Sequence, residues 1–297
     1  MVITPIQITH EEFLKMLKHE IGHGTDGTIC KYDFNYLVKV YHSRIFKILD
    51  DLEKQNDDDI KIYRMGSGND KNEVPITAYF YNEENKEHLK MQSKDSIYYA
   101  IEKQKSISRT ELPKNIVYID NIFAGCLLKR QHGIGIHKLT GFPLEYRKAI
   151  IQEVLISVRE LLENNIYPYD IHNSKFAKDA VITKGDGTIE EVGHSHILVN
   201  PFTLKTRIID LDGSSAAYTT HYNENFEKEV FMSLCILLIE FLLQIDPSEI
   251  RDYESEIETV AYYLEVARIK SEYIEPLSRL DLNIDEIEDI VKNYTLK

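Results

Sequence analysis

The sequence predicts an α+β fold, with strands in its first half and mainly helices in its second half. Short β-favouring runs separated by turn residues dominate up to Arg130, whereas long amphipathic stretches dominate after Asn223. Residues 131–141 contain three glycines and no periodicity, which is typical of a connection between two halves. We therefore expect two lobes, a lobe with an antiparallel sheet at residues 1–130 and a mainly helical lobe at residues 131–297.

Composition restricts the class of protein further. At 297 residues, with 43% hydrophobic and 28% charged residues, the chain can bury a substantial core. Its formal net charge of -14 would repel a phosphate backbone, so we expect no nucleic-acid partner. The three cysteines lie far apart and lack CxxC spacing, which is typical of reduced thiols in the cytoplasm.

The sequence lacks the pattern of a signal peptide or a membrane span. Residues 1–10 contain no basic stretch followed by an apolar one, and the longest apolar run, 230–243, is broken by Ser233 and Glu240. We therefore expect a cytoplasmic protein without a membrane partner.

Periodicity and turn signals predict the elements of both lobes. Thr9 and Glu12 have the spacing of a capping box, so a short helix is expected to begin there and to end near Gly22. Residues 28–41 have the pattern of a hairpin that turns at Asp33. The other predicted elements are helices at 43–55, 95–107, 144–164, 226–243, 247–269 and 284–294, hairpins at 116–128 and 197–211, and a polar insertion at 56–73.

Three glycines near the N-terminus have the spacing of a phosphate-binding loop. Gly22, Gly24 and Gly27 follow the pattern G-x-G-x-x-G, which lets backbone amides approach phosphate groups closely. A plain turn is the simpler explanation when the triplet is taken alone. One hairpin further on, Lys39 stands among apolar strand residues, where its ammonium group needs either solvent or an anionic partner.

Aspartates follow at the ends of two predicted elements. Asp170 comes directly after the amphipathic helix at 144–164, and Asp210 ends the hairpin at 197–211, with Asp212 shortly behind it. Each aspartate alone is more simply explained as a turn or cap residue. Their order behind the glycines and the lysine favours a joint role instead.

This ordered set of segments resembles the protein-kinase-like superfamily, especially the aminoglycoside phosphotransferase and choline kinase branch, and eukaryotic-type protein kinases. The resemblance covers most of the chain and implies a two-lobe fold that binds ATP with Mg²⁺ or Mn²⁺ between its lobes. It implies that the glycines and Lys39 contact the phosphates. Asp170 would accept the proton of a substrate hydroxyl, and Asp210, assisted by Asp212, would hold the metal.

The resemblance also implies a segment that contacts adenine and a partner for Lys39. Residues 123–130, which include Leu128, correspond in position to a kinase hinge, whose backbone would meet the adenine ring. Counting back from that hinge places the ion-pairing helix at 95–107, with Glu102 as the partner of Lys39 and Glu53 as the reserve. The competing explanation is a glutamate that is merely solvated.

The chain departs from the family pattern at the second metal ligand. Lys175 stands where the family has an asparagine, and Asn173 lies two residues too early. Alternatively, an insertion would bring His196 to this position, although imidazole is a poor ligand for magnesium. These departures keep open a pseudokinase, a nucleotide-binding or partner-binding module without turnover.

A competing motif overlaps the glycine triplet. His19, Glu20 and His23 match H-E-x-x-H, the motif of a zinc metallohydrolase in which two histidines lie one helical turn apart. The motif requires a helix through His23, and Gly22, Gly24 and Gly27 make its continuation costly at about 1 kcal/mol each. The zinc site is therefore an alternative that requires a helix here.

The phosphoryl acceptor is left open by these residues. No recognisable peptide-positioning segment follows Gly213, which favours a small acceptor or an unusual protein target. The sequence thus predicts an ATP-dependent phosphotransferase that acts on a hydroxyl of a small molecule or a protein.

Overall fold

The computed structural model describes residues 4–23, 27–41, 61–64, 78–81, 94–172, 181–183, 189–191, 195–212, 216–219, 221–245 and 257–295. The chain divides into two compact units. The first unit contains the described residues up to Arg130 and the later segment Leu211–Tyr218. The second unit contains Ile189–Asp210 and most of the other described residues after Arg130.

The helices and strands of the described residues are numbered in chain order. The strands are β1 Ile6–Ile8, β2 Glu20–His23, β3 Gly27–Lys31, β4 Tyr36–Tyr41, β5 Lys61–Arg64, β6 Ala78–Tyr81, β7 Asn115–Ile119, β8 Ile122–Lys129, β9 Ile134–Gly135, β10 Ile166–Tyr167, β11 Val181–Thr183, β12 Ile189–Glu191, β13 Ile197–Val199, β14 Thr206–Ile208 and β15 Ala217–Tyr218. The α-helices are α1 His10–Leu17, α2 Lys94–Lys103, α3 Leu144–Leu162, α4 Glu224–Leu237, α5 Ile257–Val266, α6 Ser271–Ser278 and α7 Ile284–Asn293.

A six-stranded sheet, counted within the described residues, forms the body of the first unit. Its strand order is β1-β7-β8-β4-β3-β2. Neighbouring strands are antiparallel except at one edge, where β1 pairs parallel with β7. β1 is separated from β7 by most of the unit, so no hairpin turn fixes its direction. The predicted antiparallel sheet is thus correct apart from this edge.

Local hydrogen bonds explain where the first elements begin and turn. The backbone N–H of Glu12 donates to Thr9 Oγ1 (3.2 Å) and the N–H of Thr9 donates to Glu12 Oε2 (2.7 Å), so the predicted capping box is confirmed. α1 ends at Leu17 rather than near Gly22, because Gly22 lies in β2 opposite Ile29 of β3. The predicted hairpin of β3 and β4 is confirmed, and Asp33 Oδ1 accepts two backbone N–H bonds in its turn.

The two faces of the sheet carry different cores. Val38 and Val40 belong to a cluster against which Phe13 and Met16 of α1 pack. Tyr41 belongs to a second cluster, on the other face, with Ile97 and Ile101 of α2. Side chains alternate between faces along a strand, so Lys39 shares the face of Tyr41. The predicted strand character of this segment therefore directs Lys39 to the side that α2 covers.

A glycine of β8 brings that strand close to the backbone of Lys39. Gly125 lies opposite Val40, and a Cβ atom added at Gly125 would stand 2.0 Å from the carbonyl oxygen of Lys39. Real Cβ atoms do not approach a carbonyl oxygen this closely, so a side chain here would push β8 and β4 apart. Gly125 was not singled out by its sequence context.

Helices dominate the second unit, together with a small sheet of order β14-β13-β9. The predicted stripe of α3 is confirmed, since Ile151, Leu155 and Val158 are buried. The predicted hairpin at 197–211 is confirmed by the pairing of β13 with β14. Among the described helices, none is both long enough and apolar enough to cross a lipid bilayer.

Arg147 of α3 is buried, although an arginine is expected on the exposed side of an amphipathic helix. The guanidinium of Arg147 donates to the carbonyl oxygens of Phe142 (3.0 Å), Phe241 (3.0 Å) and Leu242 (2.5 Å). The last two carbonyls end a π-helical turn, Leu238–Leu242, that follows α4. Burial lowers the pKa of Arg147, yet the side chain satisfies carbonyls that the helix end would leave without donors.

The other predicted elements agree with the structure to different extents. The helix predicted at 95–107 is present as α2 with a 3₁₀ turn, Gln104–Ser106, and α7 matches the last predicted helix. The polar insertion contains a strand, since β5 pairs with β6. α6, which contains Pro276, was not among the predicted helices. The helix predicted at 43–55, with Glu53, lies outside the described residues.

Candidate active site

Lys39 is held in the middle of the sheet of the first unit. It lies on β4 opposite Ile29 of β3 and Cys126 of β8, so hydrogen-bonded strands flank it on both sides. Only 4% of the residue is exposed. A lysine this deep must keep its ammonium group paired, because an unpaired buried charge is strongly unfavourable.

The partner of Lys39 is Asp212, whose side chain is fully buried. Lys39 Nζ lies 3.1 Å from Asp212 Oδ1 and 3.0 Å from Oδ2. The hydroxyl of Tyr41 donates to Asp212 Oδ2 over 2.8 Å. Both oxygens of this carboxylate therefore accept hydrogen bonds from β4. We call Lys39, Tyr41 and Asp212 the lysine cluster.

Glu102 is not the ion-pair partner of Lys39. The buried face of α2 carries Ile97, Ala100 and Ile101, and Glu102 follows them at an exposed position. The helix thus presents an apolar face to the sheet, and its glutamate lies at an exposed position while Lys39 pairs with Asp212. The predicted pairing was wrong because helical spacing alone did not show which side of α2 packs on the sheet.

Asp170 lies on the turn that follows β10 in the second unit. The next residues are fixed by backbone contacts: the N–H of His196 donates to the carbonyl of Ile171 (2.9 Å), and His172 forms a β-bridge with Ser195. His172 Nε2 lies 2.9 Å from Glu240 Oε2. The turn is therefore held against the segment that carries His196.

Asp210 lies two residues after the end of β14. Its backbone φ of 62° lies in the left-handed region, which a non-glycine residue adopts only when its surroundings hold it there. The N–H of Ile209, the residue before it, donates to the carbonyl of His196 over 2.8 Å. Asp210 and His196 therefore lie side by side.

The imidazole of His196 stands between the two aspartates of this unit. Its Nδ1 lies 2.6 Å from the backbone oxygen of Asp170 and 3.7 Å from Asp170 Oδ2, and its Nε2 lies 3.6 Å from Asp210 Oδ2. About a fifth of each of these three side chains is exposed, between 18% and 23%. We call Asp170, His196 and Asp210 the histidine cluster.

The structure agrees with only some of the predicted metal ligands. Among the residues that the structure describes, no group of three or more His, Cys, Asp and Glu side chains is arranged to hold a metal ion. Asp212 was expected to assist with the metal, but its buried carboxylate is engaged by Lys39 and Tyr41. Asn173 lies outside the described residues. Asp210 keeps a partly exposed carboxylate, and an oxygen ligand of this kind suits Mg²⁺ shared with substrate phosphates.

Two glycines of the predicted triplet lie on neighbouring strands, β2 and β3. Gly22 is in β2, Gly27 begins β3 opposite Tyr41, and Gly24 lies outside the described residues. A Cβ atom at Gly27 would stand 2.6 Å from the carbonyl oxygen of Val40, whereas Gly22 has open space around it. The two strands support a glycine-containing hairpin, and contact with phosphates stays a prediction.

The same strands exclude the zinc motif. Glu20 and His23 lie on β2, and His19 lies in the turn between α1 and β2. The two histidines of H-E-x-x-H must lie on successive turns of one helix to share a metal ion, and a strand does not provide that spacing. The zinc metallohydrolase alternative was therefore wrong.

Leu128 lies in the interior of β8, opposite Leu37 of β4. Its side chain packs against the cluster of Tyr41 and Ile97. Most of the predicted hinge segment is thus part of a central strand, and only Arg130 follows the strand end. The adenine contact stays a prediction.

Comparison with known proteins finds similar solved structures but no similar family or curated protein. No protein-family model matches the sequence, and no curated protein is significantly similar to it. Among solved structures, the chain resembles the Cydia pomonella granulovirus kinase PK-1, with 10% identity and a TM-score of 0.44, over 93% of this chain and 96% of that one. It also resembles an apo pseudokinase, with 9% identity and a TM-score of 0.49, over 99% and 95% of the two chains.

A third similar structure is that of Rad53 residues 1–466 in complex with AMP-PNP, with 11% identity and a TM-score of 0.45, over 93% of this chain and 62% of that one. All three TM-scores lie below 0.5, so the α+β class rests on the chain's own elements, the sheet of the first unit and the helices of the second.

Proposed function

We propose that this chain is an ATP-dependent phosphotransferase that transfers a phosphoryl group to a hydroxyl of a small molecule or a protein. The observation that carries the proposal is the histidine cluster. Two carboxylates from separate loops, Asp170 and Asp210, lie within 4 Å of the two nitrogens of one imidazole, His196. Phosphoryl transfer needs this combination of an acidic group for the acceptor hydroxyl and an acidic group for the nucleotide metal.

Each group has a distinct role in this proposal. Asp170, on a turn and partly exposed, accepts the proton of the acceptor hydroxyl. Asp210 would hold Mg²⁺ or Mn²⁺, which neutralises charge on the phosphates when it is bound. Lys39 supplies a fixed positive charge for the phosphates, and positioning and electrostatics provide most of the acceleration.

The ligands and location belong to the same proposal. ATP with its metal ion and a hydroxyl acceptor are the partners, and neither nucleic acid nor a membrane is needed. A reducing cytoplasm suits the chain, whose cysteines, Cys30, Cys126 and Cys235, are buried free thiols.

A thermal-shift titration with ATP, with and without Mg²⁺ or Mn²⁺, tests the proposal first. We expect Mg-ATP in large excess over its Kd to raise Tm by about 5 °C or more, because a ligand that binds only the folded state stabilises it. Asp210→Asn should reduce the metal-dependent part of the shift. Asp281→Asn is the matched control, since Asp281 is exposed and lies in a different loop. No shift in the parent protein would contradict nucleotide binding.

A pseudokinase is the second candidate. It is favoured because the charged side chains proposed to bind the nucleotide already contact one another. Lys39 is paired with Asp212, and His196 lies against both carboxylates of the histidine cluster. ADP release in the presence of small alcohols, sugars and hydroxyl-containing peptides separates the two candidates. Mg-ATP binding without turnover on any acceptor would favour the pseudokinase.

A further inference from the structure

We infer that Asp212 is the positioning residue for Lys39, that Tyr41 anchors its carboxylate, and that together they hold the lysine amine where it meets nucleotide phosphates. This inference rests on the proposed function, because it assigns the phosphate contact to Lys39. In this inference the partner that positions Lys39 is Asp212, after β14, and not Glu102 of α2 as expected from the sequence.

The hydrogen bonds of Asp212 fix the ammonium group from one side. Asp212 Oδ1 and Oδ2 lie 3.1 and 3.0 Å from Lys39 Nζ, so the carboxylate contacts the amine with both oxygens. Tyr41 donates to Oδ2 over 2.8 Å and so prevents the carboxylate from rotating away. Tyr41 lies two residues after Lys39 on β4 and therefore on the same face. One strand thus supplies both donors.

Stability alone does not explain an ionic pair at this place. Lys39 and Asp212 are 4% and 1% exposed, and burying two charges carries a desolvation penalty that the attraction between them often only balances. Apolar side chains of similar volume would stabilise such a site equally well or better. A fixed buried amine is, however, suited to a charged ligand, because its position is set before the ligand arrives.

Aromatic contacts explain how Asp212 itself is kept in place. The hydroxyl of Tyr218 donates to the carbonyl oxygen of Leu211, the residue before Asp212. The ring of Tyr218 packs edge-on against Tyr99 of α2, with 6.1 Å between ring centroids. α2 therefore acts on the lysine cluster through Tyr99 and Tyr218, whereas its glutamate, Glu102, is exposed.

Isothermal titration of ATP and of adenosine against the parent and three variants tests this inference. Removing a hydrogen bond to a charged group lowers affinity by about 10- to 100-fold, so Asp212→Asn should weaken ATP binding by about that factor and Tyr41→Phe by somewhat less. Adenosine has no phosphates, so its affinity should stay within about twofold of the parent value. Tyr36→Phe, on the same strand but packed in the other core, is the matched control and should change neither affinity.

Tyr41→Phe keeps the test informative if Asp212→Asn does not fold. Reaction of Lys39 with an amine-specific reagent, followed by mass spectrometry, adds a readout that needs no nucleotide. We expect Lys39 to react severalfold faster in Asp212→Asn or Tyr41→Phe than in the parent or in Tyr36→Phe.

The outcomes separate this inference from the proposed function. Unchanged ATP affinity and unchanged Lys39 reactivity in the variants of a parent that binds ATP would overturn the role of Asp212 only. An equal loss of ATP and adenosine affinity would indicate a merely structural pair and would overturn it as well. A parent that binds neither ligand would contradict the proposed function, and the inference would fall with it.

Discussion

The lysine cluster and the histidine cluster have similar chemistry but very different burial. Lys39 and Asp212 are 4% and 1% exposed and lie 3.0 Å apart. In the histidine cluster, the side chains are about a fifth exposed, and the closest approaches between imidazole nitrogens and carboxylate oxygens are 3.6 and 3.7 Å. The first cluster is a closed contact that is costly to break, whereas the second can exchange its contacts for those of a ligand.

Chain position accounts for this difference. Lys39 lies inside a strand with a partner strand on each side, so its amine has few directions to take. Asp170 and Asp210 follow strand ends, where the backbone leaves the regular ladder and side chains reach solvent. Substitutions in the lysine cluster should therefore change stability and ATP affinity, whereas substitutions in the histidine cluster should change turnover and metal binding.

The largest effect is expected for the proposed base. Asp170→Asn should lower kcat by about 10² to 10⁴-fold, because the amide cannot accept the proton of the acceptor hydroxyl. Mg-ATP affinity and Tm should change little, since the residue is partly exposed. Steady-state ADP release and a thermal melt measure both quantities. Parent-like turnover in Asp170→Asn would remove it from the catalytic site.

The next largest effect is expected on stability in the lysine cluster. Lys39→Met should lower the free energy of unfolding by about 3 to 5 kcal/mol, because Asp212 would keep a buried charge without its counter-ion. The double variant Lys39→Met with Asp212→Leu should recover most of that loss, since it removes both charges. Urea denaturation followed by circular dichroism measures these values. If Lys39→Met were as stable as the parent, the contact between Lys39 and Asp212 would not be needed to compensate a buried charge.

A backbone effect of intermediate size is expected at β8. Gly125→Ala should destabilise the protein by about 1 to 3 kcal/mol, because its methyl group would collide with the carbonyl oxygen of Lys39. Gly22→Ala is the matched control, because open space surrounds Gly22 on β2. The same denaturation experiment compares the two variants. Equal stabilities would contradict the close approach of β8 to β4.

The smallest effect on stability is expected for Glu288, which forms ion pairs at the surface and provides a reference for the two buried and half-buried clusters. Hydrogen bonds from Lys292 and Arg159 hold the pKa of the Glu288 carboxyl below its ordinary value of 4.5. A depressed folded pKa stabilises the fold above pH 4.5, and this contribution disappears as pH falls through the lowered value. Glu288→Gln should therefore lower Tm slightly at pH 7 and by less as the pH falls below 4.5. A larger loss at pH 3 than at pH 7 would reverse the assigned sign.

Much of the local structure was determined by the sequence itself. The capping box at Thr9, the hairpin that contains Lys39 and the apolar stripe of α3 were all predictable. Each of these signals lies within a few neighbouring residues of the sequence. The positions of Asp170 and Asp210 at element ends were predictable for the same reason. What local signals could not give was the partner of each charge.

Only the tertiary structure decided those partners. Asp212 rather than Glu102 pairs with Lys39, although 173 positions separate the two residues in the chain. Arg147 is buried because the carbonyls at the end of the π-helical turn after α4 need donors, and these lie 94 and 95 positions away. A buried charge is satisfied by whatever group the fold brings within about 3 Å, and no periodicity of a single segment encodes that distance.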